Sequence, residues 1–533
     1  MFQSLSPPSN PYDYQSWESI FNSLDISDYS AISKQQFDSI ISLYQQYLSV
    51  FPYLHIYWSR YASVAFSNTD SYSDAIVIFK KATSPNILKY SVEMWNEYIK
   101  FFQIHYSHAE SSEMMEIFFE ALKAIGRTYK SGSIWKTAIE FLKKELKKSP
   151  FFMLANAISC PIEGLYEFWD ELQSYLSKVT VEEMLIFENY GKENDMKLMY
   201  QKLDDLNNIN DIDERSLRAS VAKKLNDDYM KAKENYAKRM KFENAITRSY
   251  FHFLAMDEAQ ICNWECYIET FKNLFQENKS DESFNDLIEI YERAIIPCNY
   301  VESIWFDYAN FIESTLGENA SREIYSRIPF NVLPHLKVVY AEFEEEYSLE
   351  NAKQVYDSLI HSDYAEHVIA AAEFYFRHND LETAKNILRT SRDRMLQNND
   401  MSGASAVSIC LLEIANEHSE GIYSAAYISK YARKLISENH DDEANSFLFD
   451  VTQGEHSSQL LLEDRISLIQ IYIECCRTWG VEASFQIGLE LEYNKLKNKL
   501  LWHKSFFEQR ELKQKSSPES KYSKWLEYQR NLQ

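Results

Sequence analysis

The stretch VESIWFDYANFIESTLGENASREIYSRIP, residues 301–329, decides how the rest of the chain is read. At helical spacing Ile304, Trp305, Tyr308, Phe311 and Ile312 share one face, while Glu302, Asp307 and Glu313 point elsewhere. Gly317 and Asn319 interrupt the pattern. Ser321, Ile324, Tyr325 and Ile328 resume it until Pro329 stops the second helix. The unit is a helical hairpin with an apolar face too wide for one hairpin to bury, so neighbours must stack on it.

Those neighbours are written into the chain. The Trp-x2-Tyr-x2-Phe phrase of Trp305, Tyr308 and Phe311 recurs as Trp95, Tyr98 and Phe101, and as Trp135, Ala138 and Phe141. Looser copies are Trp58, Tyr61 and Val64, and Trp264, Tyr267 and Thr270 with Phe271. Adjacent copies lie about 40 residues apart, the period of two-helix solenoid repeats. A second phrase follows each: Ala75, Ile78, Phe79, Ala82; then Met114, Ile117, Phe118, Ala121; then Leu287, Ile290, Tyr291, Ala294; then Ala352, Val355, Tyr356, Leu359. Small residues let helix backbones approach while the aromatic beside them fills the neighbouring groove. Trp58, Tyr61, Trp95, Tyr98, Trp135, Trp264, Tyr267, Trp305, Tyr308, Tyr325 and Tyr356 are therefore read as repeat core, with no cofactor role.

Composition agrees. The chain has 533 residues with only 10 Gly and 11 Pro, which favours helices joined by short turns over sheet. The fold class is all-α: a helical-hairpin repeat solenoid in two arrays joined by a long helix. Residues 1–205 form the N-terminal array, the charged run at 206–250 the connector, and 251–533 the C-terminal array with a dimerisation region near 460–533. After about residue 360 the repeats lose their Trp and boundaries blur.

The formal net charge of -25 argues against a surface that coats nucleic acid. Two basic stretches stand out against it: Lys143, Lys144, Lys147 and Lys148, and Lys231, Lys233, Lys238, Arg239 and Lys241 on the connector. They are candidate contacts for RNA phosphate or an acidic partner, with a solvated helix face as the plainer reading. Seven Cys include no CxxC pair, and Cys262 and Cys266 read as reduced core thiols. His105 and His108 read as a solvated loop pair, and the Glu run at 342–347 as surface. With so few glycines and no phosphate-loop, zincin or nucleophile-elbow motif, the chain is expected to be no enzyme, with no catalytic, cofactor or metal site. No signal peptide and no run of about 18 apolar residues occurs, so an intracellular protein without membrane contact is expected. Near the end Ile471, Ile473, Trp479, Phe485, Leu489, Trp502 and Phe506 accumulate where a terminal repeat should be capped by polar residues. Ile471, Trp479, Phe485, Trp502 and Phe506 are candidate dimer contacts, the alternative being that these helices fold back on the preceding repeat.

The Trp/Tyr/Phe helix followed by an Ala/Tyr helix resembles the half-a-TPR, or HAT, repeat. Residues 44–64, 90–102, 121–142, 248–271 and 291–313 resemble, in order, phrases of the pre-mRNA-processing factor 39 family, and the run of Arg248 with Tyr250 to His252 is more particular than a generic HAT pattern. Ala138 in a Tyr position and Lys337 in a Trp position depart from it. The resemblance implies a non-catalytic nuclear scaffold of the U1 small nuclear ribonucleoprotein. Such a scaffold bridges U1 proteins at the 5′ splice site and pairs through its C-terminal array as a homodimer or as a heterodimer with a related HAT protein. RNA contact would be secondary. The competing expectation is a HAT scaffold of mRNA 3′-end cleavage or ribosomal RNA processing.

Overall fold

The computed structural model describes residues 6–24, 33–69, 72–105, 111–190, 195–205, 213–422 and 424–515. Among them it holds α-helices and short 3-10 turns and no strand, so the all-α repeat expectation holds. The chain divides into two compact units, Met1–Leu333 and Pro334–Gln533.

In the first unit the helices pair as hairpins, such as His55–Thr69 with Tyr72–Ala82 and Glu302–Leu316 with Glu318–Tyr325. The template tryptophans and tyrosines are buried, Trp264, Tyr267 and Trp305 completely. Four of these indoles have a second task, while the Nε1 of Trp264 has no acceptor among the described residues. Trp58 donates its Nε1–H to the Pro52 carbonyl at 2.8 Å, Trp95 to Lys89 at 2.8 Å, Trp305 to Asn299 at 2.9 Å and Trp135 to Gly126 at 3.0 Å. Such a bond satisfies a buried donor, and in these four it pins the turn that enters the indole's own helix. Trp17, bonded at 2.9 Å to Pro11, does the same, so the series starts one hairpin before the sequence template.

The helix expected as a connector runs Glu214–Glu243 and lies inside the first unit rather than between units. Leu217, Val221, Leu225, Tyr229, Ala232, Arg239 and Phe242 are buried along one side of it. Its last turn has the place of a repeat's second helix. Phe242 stacks on Tyr267 at 4.8 Å, as Tyr291 stacks on Tyr308 at 4.6 Å one repeat later. The Arg248–Leu254 run that follows is a strap over the N-terminal hairpins. Phe253 stacks on Tyr14 at 4.4 Å and meets Phe51 edge-on at 5.0 Å, and Ser249 bonds Glu93.

The second unit continues with hairpins such as Pro334–Tyr347 with Leu349–Leu359 and Ala365–Arg377 with Leu381–Gln397, without tryptophan in their cores. It ends in the hairpin of Leu462–Trp479 and Ala483–Lys515, turned by Gly480 at φ 67°.

Candidate functional site

At the heart of the first unit is a buried lattice of charge. Arg239, with a fully buried side chain, reaches Asp286 at 3.0 Å and Glu289 at 2.5 Å. Arg293 grips Glu243 with both Nη atoms at 2.6 and 2.8 Å and touches Glu289 at 3.1 Å. Arg127, from the turn before the Trp135 helix, reaches Asp286 at 3.2 Å and Glu282 at 2.8 Å. The lattice thus ties N-terminal turn, long helix and C-terminal repeat together. Burial raises the Glu289 carboxyl's pKa, yet Arg239 and Arg293 outweigh it and leave the group below the ordinary carboxylate value. Buried charges persist only when paired in this way.

Within the lattice one arrangement occurs twice. Arg293 lies over Trp264 at 5.7 Å and holds Glu243, which also accepts from the Tyr267 hydroxyl at 3.0 Å. Arg327 lies over Trp305 at 5.9 Å and grips Glu292 through both Nη atoms at 2.7 Å, and Glu292 accepts from Tyr308 at 2.6 Å. Indole, phenol, carboxylate and guanidinium form one cassette: the acid ends the preceding helix, the rings come from the first helix, and the arginine from the end of the second or the turn just after it. Sequence reading found the rings and missed the ions. The signal was there, because Phe242-Glu243-Asn244-Ala245-Ile246 and Tyr291-Glu292-Arg293-Ala294-Ile295 are one phrase written twice.

This geometry corrects one expected contact residue. Arg239 has no exposed surface and is consumed by Asp286 and Glu289, so it offers nothing to RNA or to a partner. The other basic residues sit at the surface with local counterions: Lys143 with Glu171, Lys144 with Glu140 at 2.8 Å, and Lys238 with Glu234 at 2.7 Å. Lys241 lies over the Phe242 ring at 4.4 Å, and Lys147 takes a left-handed backbone, φ 52°, after its helix ends. The amide of Lys148 donates to the Leu142 carbonyl.

Cys262 and Cys266 are exposed, not core thiols, because their helix turns Trp264, Tyr267, Ile268 and Phe271 inward. Cys298 is the buried kind, its thiol pushed up to about 12 by burial. His108 lies outside the described residues. Among the described residues no group of three or more His, Cys, Asp or Glu could hold a metal, and no helix is long and apolar enough to cross a membrane. A cavity of about 340 Å³ in the second unit is lined by His418, Tyr427, Asp450 and His456. Its imidazoles are already spent, His418 on the Tyr427 hydroxyl at 2.9 Å and His456 on Asp450 at 2.7 Å.

At the C-terminal hairpin, Trp479 and Phe485 pack against their own chain's core of Leu468, Ile469, Tyr472 and Leu489. For these two the fold-back alternative describes the contacts, since the Gly480 turn lays one helix on the other. Ile471 is half-buried, and the side chains of Trp502 and Phe506 lie outside the described residues. What remains open on the long last helix is Ile487, Leu491 and Leu501, each more than half exposed and on one stripe.

Two family profiles match: the PRP39 N-terminal HAT repeat over residues 7–174 and the PRP39 C-terminal HAT repeat over residues 237–378, together more than half of the chain. The second begins in the last turns of the long helix, the part that takes a repeat's place. Pre-mRNA-processing factor 39 of Schizosaccharomyces pombe is 24% identical over 379 residues, which covers 66% of this chain and 58% of that protein. Pre-mRNA-processing factor 39-2 of Arabidopsis thaliana is 23% identical over 495 residues, 87% of this chain and 44% of that protein. Cleavage stimulation factor subunit 77 of Arabidopsis thaliana is 23% identical over 366 residues, 63% of this chain and 44% of that protein. The chain spans about half the length of the curated relatives it matches. By these matches in order along both arrays, the chain belongs to the PRP39 family of HAT-repeat proteins.

Proposed function

We propose that this protein is a non-catalytic scaffold of pre-mRNA splicing that works in the nucleus by bridging proteins of the U1 small nuclear ribonucleoprotein at the 5′ splice site. The observation that carries the reading is that both halves of the PRP39 repeat architecture occur in one chain and in order. A scaffold must hold its binding surfaces apart at a fixed geometry, and a buried charge lattice between repeats suits that task. RNA contact is secondary in this reading, since the candidate lysines sit beside carboxylates on a chain of net charge -25.

The same reading includes pairing through the C-terminal array, with a second copy or a related HAT protein. Ile487, Leu491 and Leu501 supply the apolar stripe in place of Trp479 and Phe485. A stripe of this kind on a long helix is covered by another helix in the manner of a coiled coil.

The test is gentle affinity purification from the native cell with RNA sequencing and mass spectrometry. Recovery of U1 RNA with its proteins supports the reading. Recovery of 3′-end cleavage factors or nucleolar particles instead replaces it with the process named by the cleavage-factor relative, or with ribosomal RNA processing.

A further inference from the structure

The long helix Glu214–Glu243 has a second face with no use in the lattice. Opposite its buried side, Ala219, Lys223, Asn226, Met230, Lys233, Ala237 and Met240 follow one another at alternating steps of four and three, and every one is exposed. Met230 is 53% exposed and Met240 39%. Alternate four-three spacing makes a straight seam along a helix, the pattern by which one helix receives another. The residue types suit that role. Ala219 and Ala237 let a second backbone come close, the methionines adapt to irregular partners, and a seam Asn fixes register at some cost in stability.

The charge of this face says what kind of helix fits. The long helix carries nine basic against five acidic residues in a chain whose formal net charge is -25. Lys223 and Lys233 stand in the seam, with Lys241 beside it. The Lys233 ammonium reaches over the rings of Tyr166 and Tyr229 at 5.7 and 5.9 Å, which keeps its stem against apolar surface and its charge available. Single-stranded RNA would suit the lysines and the half-exposed Tyr166. It leaves the two methionines and the regular spacing without purpose. A second copy of the same helix would set one net-positive face on another.

We propose that the outer seam of the Glu214–Glu243 helix is a docking site for one amphipathic helix of a partner protein, with an apolar stripe facing Met230, Ala237 and Met240 and carboxylates facing Lys223 and Lys233. The site is independent of the splicing reading, because it would serve any scaffold built on this helix.

The experiment uses the full chain with p-benzoylphenylalanine at position 237, irradiated in extract of the native cell, and mass spectrometry of the cross-linked peptides. The expected adduct is a peptide with apolar residues at four-three spacing and an excess of Asp and Glu. Yield should fall at least tenfold in the Met230→Glu/Met240→Glu variant. That variant should keep its helical circular dichroism and the amide protection of the Glu214–Glu243 helix, since both side chains face solvent. A synthetic copy of the cross-linked peptide should bind the intact chain at least tenfold more tightly than the variant. Adducts on RNA, on basic peptides or on a second copy overturn the proposal. So does a yield no higher than that of the same label at exposed position 77. Recovery of U1 RNA is scored separately in the purification, so failure of the docking site and failure of the splicing reading are distinguishable.

Discussion

Replacing Arg239 by Met should loosen the first unit across three segments at once. The side chain is fully buried and holds Asp286 at 3.0 Å and Glu289 at 2.5 Å. Removing one member of a buried ion pair costs about 3 to 5 kcal/mol, most of it the penalty of the charge left behind. Here each carboxylate keeps another arginine, Arg127 for Asp286 and Arg293 for Glu289, so the low end applies, about 3 kcal/mol. That free energy corresponds to roughly 150-fold faster exchange of amides that open with the lattice. Hydrogen exchange on the full chain is the assay, because a chain of two units gives no single unfolding transition. Protection should fall together in residues 126–131, 239–246 and 286–293. The sign with pH follows from Glu289, whose folded pKa is depressed. Its contribution is complete above the unfolded value of about 4.3 and is lost as pH falls through the folded value. Exchange in wild type should therefore accelerate below about pH 4.3, and Arg239→Met should flatten that response. Acceleration under tenfold, or confined to the long helix, refutes the lattice as the tie between N-terminal turns and C-terminal repeats.

Trp305→Phe should cost about 1 to 3 kcal/mol through loss of the bond to Asn299 and part of the Arg327 contact, and Trp305→Ala about 3 to 5 kcal/mol; local exchange over 264–330 reads both, with the half-exposed Phe306→Ala as a control within about 0.5 kcal/mol. His367 is pushed below its ordinary pKa by burial, against the opposing bond to the Pro334 carbonyl at 2.8 Å. Its stabilising contribution is complete above the unfolded pKa of about 6.5 and lost as pH falls through the folded value, so exchange in Ala365–Arg377 should quicken as pH falls below about 6.5 and lose that dependence in His367→Gln. Ile487→Glu/Leu491→Glu should convert a dimer to monomer in light scattering while leaving helicity intact; a monomeric parent chain with no related partner recovered from cells ends the pairing reading.

The rings were legible because their information is periodic. Trp305, Tyr308 and Ile312 share one face of any helix they form, and a Trp copy about 40 residues away repeats the statement. The ions were not, because Arg239, Asp286 and Arg127 come from three separate segments and each looks like a solvated charge when read locally. Burial of a charge depends on what packs over it, which helical period alone does not say. Cys262 and Cys266 failed in the opposite way: apolar in type, they were assigned to the core, yet they sit at two residues either side of Trp264, which places both off its buried face. At the C-terminal end an apolar count could not separate fold-back from pairing. The Gly480 turn lays Trp479 and Phe485 on their own chain's core, and Ile487, Leu491 and Leu501 stay exposed.

The two departures from the template at Lys337 and at the end of the Leu349–Leu359 helix make sense as one change. In the Trp264 and Trp305 repeats a guanidinium from the end of the second helix, or the turn just after it, lies over the indole of the first. The next repeat has Lys337 where the tryptophan stood and Ser358 where the arginine stood. An arginine held over an ammonium would be repelled where it had been attracted, so loss of the ring removes the reason for the cation and makes its retention costly. Lys337 is itself held below the usual lysine pKa by burial, which leaves little room for a second positive charge. The carboxylate goes with them. The phrase Tyr291-Glu292-Arg293 becomes Tyr325-Ser326-Arg327 ahead of the Lys337 helix, so Ser326 stands where Glu292 stood, and of the four residues only the phenol, Tyr340, keeps its place. Glu292 is gripped by Arg327, and a carboxylate left at such a buried position without its guanidinium would be an unpaired charge. Indole, guanidinium and carboxylate are therefore one unit, and a repeat that lacks its tryptophan should be searched for the matching loss of its arginine and its acid before it is judged degenerate.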